Sequence, residues 1–208
     1  MSASPEDEVG ELTREEIKLI RRARRARAAK HSSASVEWYT PGEYVEPARA
    51  LMGGIDLDVA SCEAANQIVK ASRFFTKADN GLAQRWFGRV WMNPPYGKVG
   101  NESRQAIWTY RLITDYYAGA VTMGVALVNA ETSTKWFQSL WEFPVCLTDH
   151  RIKYVGPDGE VANQPTHGSA FVGIGVSFEE MEAAYGQFGR VIPPAPRRTA
   201  VAVQGFLI

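Results

Sequence analysis

The sequence predicts an α/β domain built on a mostly parallel sheet with an antiparallel edge toward its C-terminus. Three observations support this. Short strand-like runs at residues 55–59, 89–92 and 120–128 alternate with helical patterns at 61–71, 104–117 and 134–141, as parallel strands joined by crossover helices do. The run at 120–128 is apolar almost throughout, which suits a strand covered on both faces. Two further strand-like segments, 151–155 and 169–176, lie around the turn Gly156-Pro157-Asp158-Gly159, and this favours an antiparallel pair.

Along the chain, residues 1–35 read as a partly disordered, basic arm: a helical pattern over 12–30, then a linker at 31–35. Arg21, Arg22, Arg24, Arg25, Arg27 and Lys30 crowd the end of that pattern, where cations suit the negative pole of a helix. The folded domain is expected over 36–192. Thr40-Pro41-Gly42-Glu43 has the residues of a capping box, with the hydroxyl at the N-cap, proline next and glutamate third. Pro47 should break or restart the helix that follows. A C-terminal tail occupies 193–208, proline-rich over 193–198.

Bulk composition narrows the function classes. Lys plus Arg and Asp plus Glu are 23 each, so the net charge is zero and any affinity for polyanions must come from local patches. The two cysteines, Cys62 and Cys146, make neither a disulfide framework nor a metal-ligand spacing. No metal is expected. His31, His150 and His167 read as structural or surface residues. No apolar run approaches a membrane span and the N-terminus has no signal-peptide core, so a reducing cytoplasm is the expected setting.

The segment that carries chemistry is Arg89-Val90-Trp91-Met92-Asn93-Pro94-Pro95-Tyr96-Gly97. Two prolines cannot continue a sheet ladder, so the strand must end at Asn93. They also stiffen the turn and hold Asn93 and Tyr96 in set directions. Ligands of open α/β sheets bind beyond the carboxyl ends of strands, and a rigid polar-proline-proline-aromatic turn there is placed to seize a planar base. Such a tetrapeptide arises by chance in about one chain in a thousand of this length.

Trp38-Tyr39-Thr40-Pro41, Ile55-Asp56-Leu57-Asp58-Val59-Ala60-Ser61, Phe74-Phe75-Thr76-Lys77, Asp79 with Gly81-Leu82, and Asn93-Pro94-Pro95-Tyr96 occur in that order. Together they resemble the phage-type DNA N6-adenine methyltransferases, from about residue 37 to residue 175. The Asn-Pro-Pro-Tyr turn alone is shared with glutamine and RNA methyltransferases; its combination with the Trp-Tyr-Thr-Pro opening is more specific. The resemblance implies a Rossmann-like methyltransferase fold, S-adenosylmethionine as cofactor and a bacterial host cytoplasm. It implies Asn93, Pro94, Pro95 and Tyr96 as the catalytic turn. It also implies Tyr39, Thr40, Asp56, Asp58, Ser61 and Asp79 around the cofactor, with Asp58 toward the ammonium and Asp79 toward the adenine end. Many methyltransferases carry a glycine-rich loop after the first strand. Here Val59-Ala60-Ser61-Cys62-Glu63 has no glycine and Gly53-Gly54 come before the strand, so the cofactor loop should be shortened or shaped differently.

The chemistry accounts for the residue types. The N6 lone pair of adenine is delocalised into the ring and is a poor nucleophile. The Asn93 side-chain oxygen and the Pro94 carbonyl are a suitable acceptor pair for both N6 hydrogens, and their help grows as positive charge develops on nitrogen. Tyr96 can stack on the base, which must be flipped out of the duplex to be reached. Phosphate contacts are expected from Lys98 and Arg104 after the turn, and from Arg151 and Lys153. No large target-recognition domain fits, so short segments must read the DNA. From the residues alone, an RNA adenine methyltransferase and a protein glutamine-amide methyltransferase remain open. A non-enzymatic DNA-binding protein would leave the catalytic turn without a purpose. If the basic run grips phosphates, removing residues 1–30 will lower DNA affinity and flatten its salt dependence without unfolding the domain. Filter binding across a salt series checks this, and an unchanged slope would reduce the segment to a tail.

Overall fold

The computed structural model describes residues 38–156 and 167–195 together with residues 13, 15, 18 and 161. The chain divides into two units, Met1–Glu37 and Trp38–Ile208. In the first, Lys18 pairs with Glu15 one helical turn away at 2.8 Å. The basic run at 21–30, the linker, most of the turn after Gly156 and the tail beyond residue 195 lie outside the described residues.

In the second unit the described residues form a seven-stranded sheet and a separate two-stranded ribbon. The sheet strands are β1 (Leu57–Asp58), β2 (Arg73–Phe74), β3 (Gly88–Met92), β6 (Val121–Asn129), β7 (Val145–Thr148), β8 (Ser169–Ile174) and β9 (Gly189–Ile192). The ribbon is β4 (Lys98–Val99) with β5 (Glu102–Ser103). The sheet order is β2-β1-β3-β6-β8-β7-β9. Pairings from β2 to β6 are parallel and those from β6 to β9 antiparallel. This is the α/β, Rossmann-like architecture with an antiparallel C-terminal edge.

Helices cover both faces: α1 (Gly42–Met52), α2 (Glu63–Val69), α3 (Arg104–Tyr117), α4 (Lys135–Gln138) and α5 (Phe178–Tyr185). Successive strand residues supply two cores, as the two-residue period of a strand requires. Val90, Met92, Ala126 and Val128 pack on one face with Trp108 and Leu112 of α3 and with Trp136 and Phe137 of α4. Trp91, Val125, Leu127 and Phe171 pack on the other with Tyr44, Val45 and Met52 of α1, Val69 of α2, and Met181 and Tyr185 of α5. Each large side chain so buried contributes on the order of 1.5–3 kcal/mol, which is why β6 is apolar without alternation.

Several local expectations are corrected. Pro41, not Thr40, is the N-cap of α1, and no side chain caps that helix; the Thr40 hydroxyl is engaged elsewhere, as shown below. Pro47 lies inside α1 without ending it, because the helix is held by its buried face. β8 pairs antiparallel with β6 on one side and with Val145–Thr148 on the other, not with 151–155. Residues 151–154 belong to no strand, and Val155 makes only isolated bridges, to Tyr39 and Val161. α5, with a capping box formed by Ser177 and Glu180, and the edge strand β9 were not anticipated.

Gly81 shows how tightly β1 is buttressed. A Cβ at this position would lie 2.2 Å from the Val59 carbonyl oxygen and 3.0 Å from the Trp108 ring. Gly81→Ala is therefore expected to destabilise the domain by about 1–3 kcal/mol through overpacking. Chemical denaturation of the purified variant measures the loss, and wild-type stability would show that this contact relaxes freely.

Candidate active site

The chain leaving β1 enters α2 on one face of the sheet, and the chain leaving β3 enters α3 on the other. Adjacent parallel strands whose connections diverge in this way open a crevice at their carboxyl ends. β1 and β3 are paired with Asp58 opposite Trp91. That register places Asp58 and the following Val59-Ala60-Ser61 beside the start of Asn93-Pro94-Pro95-Tyr96.

Asn93 is held from α1's approach: its Nδ2 donates to Thr40 Oγ1 at 3.0 Å. With the amide turned this way, Asn93 Oδ1 is buried and has no hydrogen-bond partner. A buried acceptor without a donor is costly, and such groups gather where a ligand completes the set. Thr40 is itself buried, and Tyr39 before it is tied by backbone hydrogen bonds in both directions to Val155, at 2.7 and 3.0 Å.

Tyr96 has two characters. Some 41% of the residue is exposed, while its hydroxyl donates to Tyr154 Oη at 2.8 Å and the two rings meet edge-on at 6.3 Å. The ring is open and its far end is anchored; burial of that end holds the hydroxyl well above the ordinary tyrosine pKa. Tyr154 is buried, and desolvation raises its pKa too. Sequence reasoning missed Tyr154, which lies 58 positions from Tyr96 in no motif. The same segment is pinned at its other end, where Tyr44 Oη meets His150 Nε2 at 2.8 Å and His150 Nδ1 meets Asp149 at 2.6 Å.

Asp58 is 2% exposed, and burial pushes its carboxyl up to about 6. Its side chain accepts from the Ala60 N–H at 3.2 Å. The Ser61 hydroxyl lies near enough to favour the charged form, yet outside good hydrogen-bond geometry, so Ser61 Oγ is left buried and unpartnered. Asp79 is exposed on the turn after β2, where its Oδ2 accepts from both the N–H and the hydroxyl of Thr76 at 2.7 Å, which lowers its pKa. Phe75 and Gln84, next to that turn, help line a cleft of about 420 Å³ with Arg73, Arg85 and Phe87.

Thr40 is thus bound to Asn93, Asp58 and Ser61 lie on the adjacent strand end, Tyr96 follows on the same turn as Asn93, and Asp79 sits on the turn after β2. Asp56 does not join them. It is bound to Arg89 through Nε at 2.8 Å and Nη2 at 2.6 Å and also accepts the Arg89 backbone N–H. That guanidinium is the main cause of its lowered pKa. Lys98 and Arg104 are exposed on and beside the ribbon. Arg151 and Lys153 face outward between buried Ile152 and Tyr154, alternating as expected but outside any strand. Among the described residues no group of His, Cys, Asp and Glu is arranged to hold a metal ion, and no helix is long and apolar enough to cross a membrane.

A family model described as DNA N-6-adenine-methyltransferase (Dam) matches residues 28–191. None of the curated proteins compared matches the chain.

The buried Asp58 carboxyl has a consequence for stability. Its folded pKa lies above the unfolded value, so its contribution favours folding most below about pH 4 and is lost as the pH rises through about 6. Without ligand, Asp58→Asn should therefore be more stable than the wild type above pH 6, by ~3 kcal/mol at most, and the gain should vanish toward pH 4. Melting temperatures across a pH series check this, and a gain independent of pH would contradict the assignment.

Proposed function

The chain belongs to the DNA N-6-adenine-methyltransferase (Dam) family, and from that premise we propose that it transfers a methyl group from S-adenosylmethionine to the N6 amine of adenine in duplex DNA. The observation that carries the reading is the buried, unpartnered Oδ1 of Asn93 at the carboxyl end of β3. It is an acceptor set where a planar NH2 group would supply the missing donor.

The residues suit the cofactor. Asp58 is a buried carboxylate with a single backbone N–H on its side chain, and a cationic ammonium would satisfy it and lower its pKa. Ser61 Oγ is a second buried, unpartnered oxygen beside it. Tyr39 and Thr40 border the same end. Asp79, with the cleft lined by Phe75 and Gln84, is assigned to the adenine end. Asp56 is committed to Arg89 and is left out of the pocket. When bound, S-adenosylmethionine supplies an electrophilic methyl group on a sulfonium centre.

The chain's own residues then act on the base. Asn93 Oδ1 accepts one N6 hydrogen and the Pro94 carbonyl the other, drawing the nitrogen toward a tetrahedral geometry and stabilising the positive charge that develops there. Thr40 fixes which end of the Asn93 amide faces the base. Pro95 limits the freedom of the turn. Tyr96 offers its exposed ring as a stacking surface, while Tyr154 holds the ring's hydroxyl end. The exposure of Tyr96 supports a flipped base, and the exposure of Lys98, Arg104, Arg151 and Lys153 supports phosphate contacts from them.

The test is methyl transfer from labelled S-adenosylmethionine to DNA, RNA and protein offered separately, followed by nucleoside analysis. N6-methyladenine in DNA is the expected product; N4-methylcytosine, or label only in RNA or protein, would overturn the proposal. Asn93→Ala should lower kcat by on the order of a hundredfold with little change in cofactor affinity. Thr40→Val should give an intermediate loss, because the Asn93 amide is then free to turn over. Tyr96→Phe should retain more activity than Tyr96→Ala, since stacking survives and only the anchor to Tyr154 is lost.

A further inference from the structure

The ribbon β4–β5 takes no part in the main sheet. It begins two residues after Tyr96 and ends where α3 begins. Its base is closed by the Arg104 N–H donating to the Gly97 carbonyl at 2.9 Å, and its turn is Gly100-Asn101, between the paired residues Val99 and Glu102. Gly97 and Gly100 have φ of +95° and +59°, so both bends use conformations that favour glycine. A Cβ added at either would meet nothing within 4 Å, so both bends face open space. Lys98, Val99, Asn101 and Glu102 are all exposed, Val99 at 55%.

Nothing in the fold accounts for such an element. Two-residue strands that bury no apolar face add little stability, and an exposed valine gains nothing in water. The residue types and their placement do suit nucleic acid. A two-stranded ribbon fits the major groove of B-form DNA. Cross-strand pairing puts Val99 and Glu102 on one side and Lys98 and Ser103 on the other, with Asn101 at the tip. Asparagine matches the adenine N6/N7 edge, glutamate accepts from cytosine N4, and an apolar side chain packs on the thymine methyl. Lys98 and Arg104, nearer the base of the ribbon, suit phosphates.

We propose that the β4–β5 ribbon is the sequence-reading element, entering the major groove beside the methylated adenine with Val99, Asn101 and Glu102 on base edges. This rests on the methyltransferase reading above and deepens it. The ribbon is joined to the catalytic turn through Gly97, so the bases it reads are those flanking the target. Specificity and chemistry are then coupled by a few residues of backbone.

The experiment treats unmethylated genomic DNA with the full-length protein and maps N6-methyladenine by position, giving the sequence preference of the wild type and of Asn101→Ala and Glu102→Ala. At least one variant is expected to relax the preference at a flanking position by about tenfold while still producing N6-methyladenine. Lys98→Ala should weaken DNA binding evenly across sequences and reduce its salt dependence. An unchanged preference in both Asn101→Ala and Glu102→Ala, or an even loss at all sites, overturns the ribbon's role and leaves the methyltransferase reading intact. Absence of N6-methyladenine with the wild type overturns both. Melting curves matching the wild type confirm that these exposed substitutions leave the fold in place.

Discussion

The parallel pairing of β1 with β3 is the constraint on which the site depends. Only Leu57 and Asp58 form β1, and their register against Val90 and Trp91 sets the level at which two loops emerge. A slip of one residue would turn Asp58 to the opposite face of the sheet and separate it from Asn93. The pairing is held from outside by large buried groups: Trp86 and Trp108 on one side, whose rings meet at 5.7 Å, and Trp91 on the other. Gly81, which has no room for a side chain against the Val59 carbonyl, lets the neighbouring loop close over the same strand. At the far end of the pair Asp56 and Arg89 form a fork that ties the entry of β1 to the start of β3 and, through Arg89, to the carbonyls of Met52 and Gly53.

Against that rigid pair the site keeps its polar atoms incompletely satisfied. Asn93 Oδ1 and Ser61 Oγ are buried without partners, and Asp58 is buried with one backbone donor to its side chain. Arg49 Nε, Thr109 Oγ1 and Trp136 Nε1 are also buried without partners, but Asn93 Oδ1 and Ser61 Oγ are the ones that lie just beyond the carboxyl ends of β1 and β3. The cost is that of a pre-set acceptor array. No reorganisation is needed when donors arrive, and this makes such arrays effective in stabilising developing charge.

The segment 149–156 links this array to the antiparallel edge. It is anchored by His150 to Tyr44, by Val155 to Tyr39 and by Tyr154 to Tyr96. The Trp-Tyr-Thr-Pro opening, the Asn-Pro-Pro-Tyr turn and the chain after β7 are thereby bound to one another. The antiparallel half of the sheet is thus part of the site's support, although it contributes no atom to the acceptor array itself.

How much of this was legible in the sequence follows from the range over which each interaction acts. The apolar run of β6, the strand stop at Asn93 and the length of α3 are local matters of periodicity and proline sterics, and the sequence by itself determined them. The capping box at Thr40 was local too, but a tertiary bond overrode it: the hydroxyl that would cap α1 accepts from Asn93, 53 residues away. Asp56 and Asp58 are two positions apart in similar company, and only the sheet decided that one meets Arg89 and the other faces the crevice. The sequence pattern points to a strand at 151–155 and gives none at 145–148, yet it is the latter that pairs with β8 and β9. Tyr154 carried no signal at all, since its role exists only once the chain after β7 has folded back onto the turn after β3. Those choices depended on which distant groups were brought within hydrogen-bond reach, and only the assembled tertiary structure decided that.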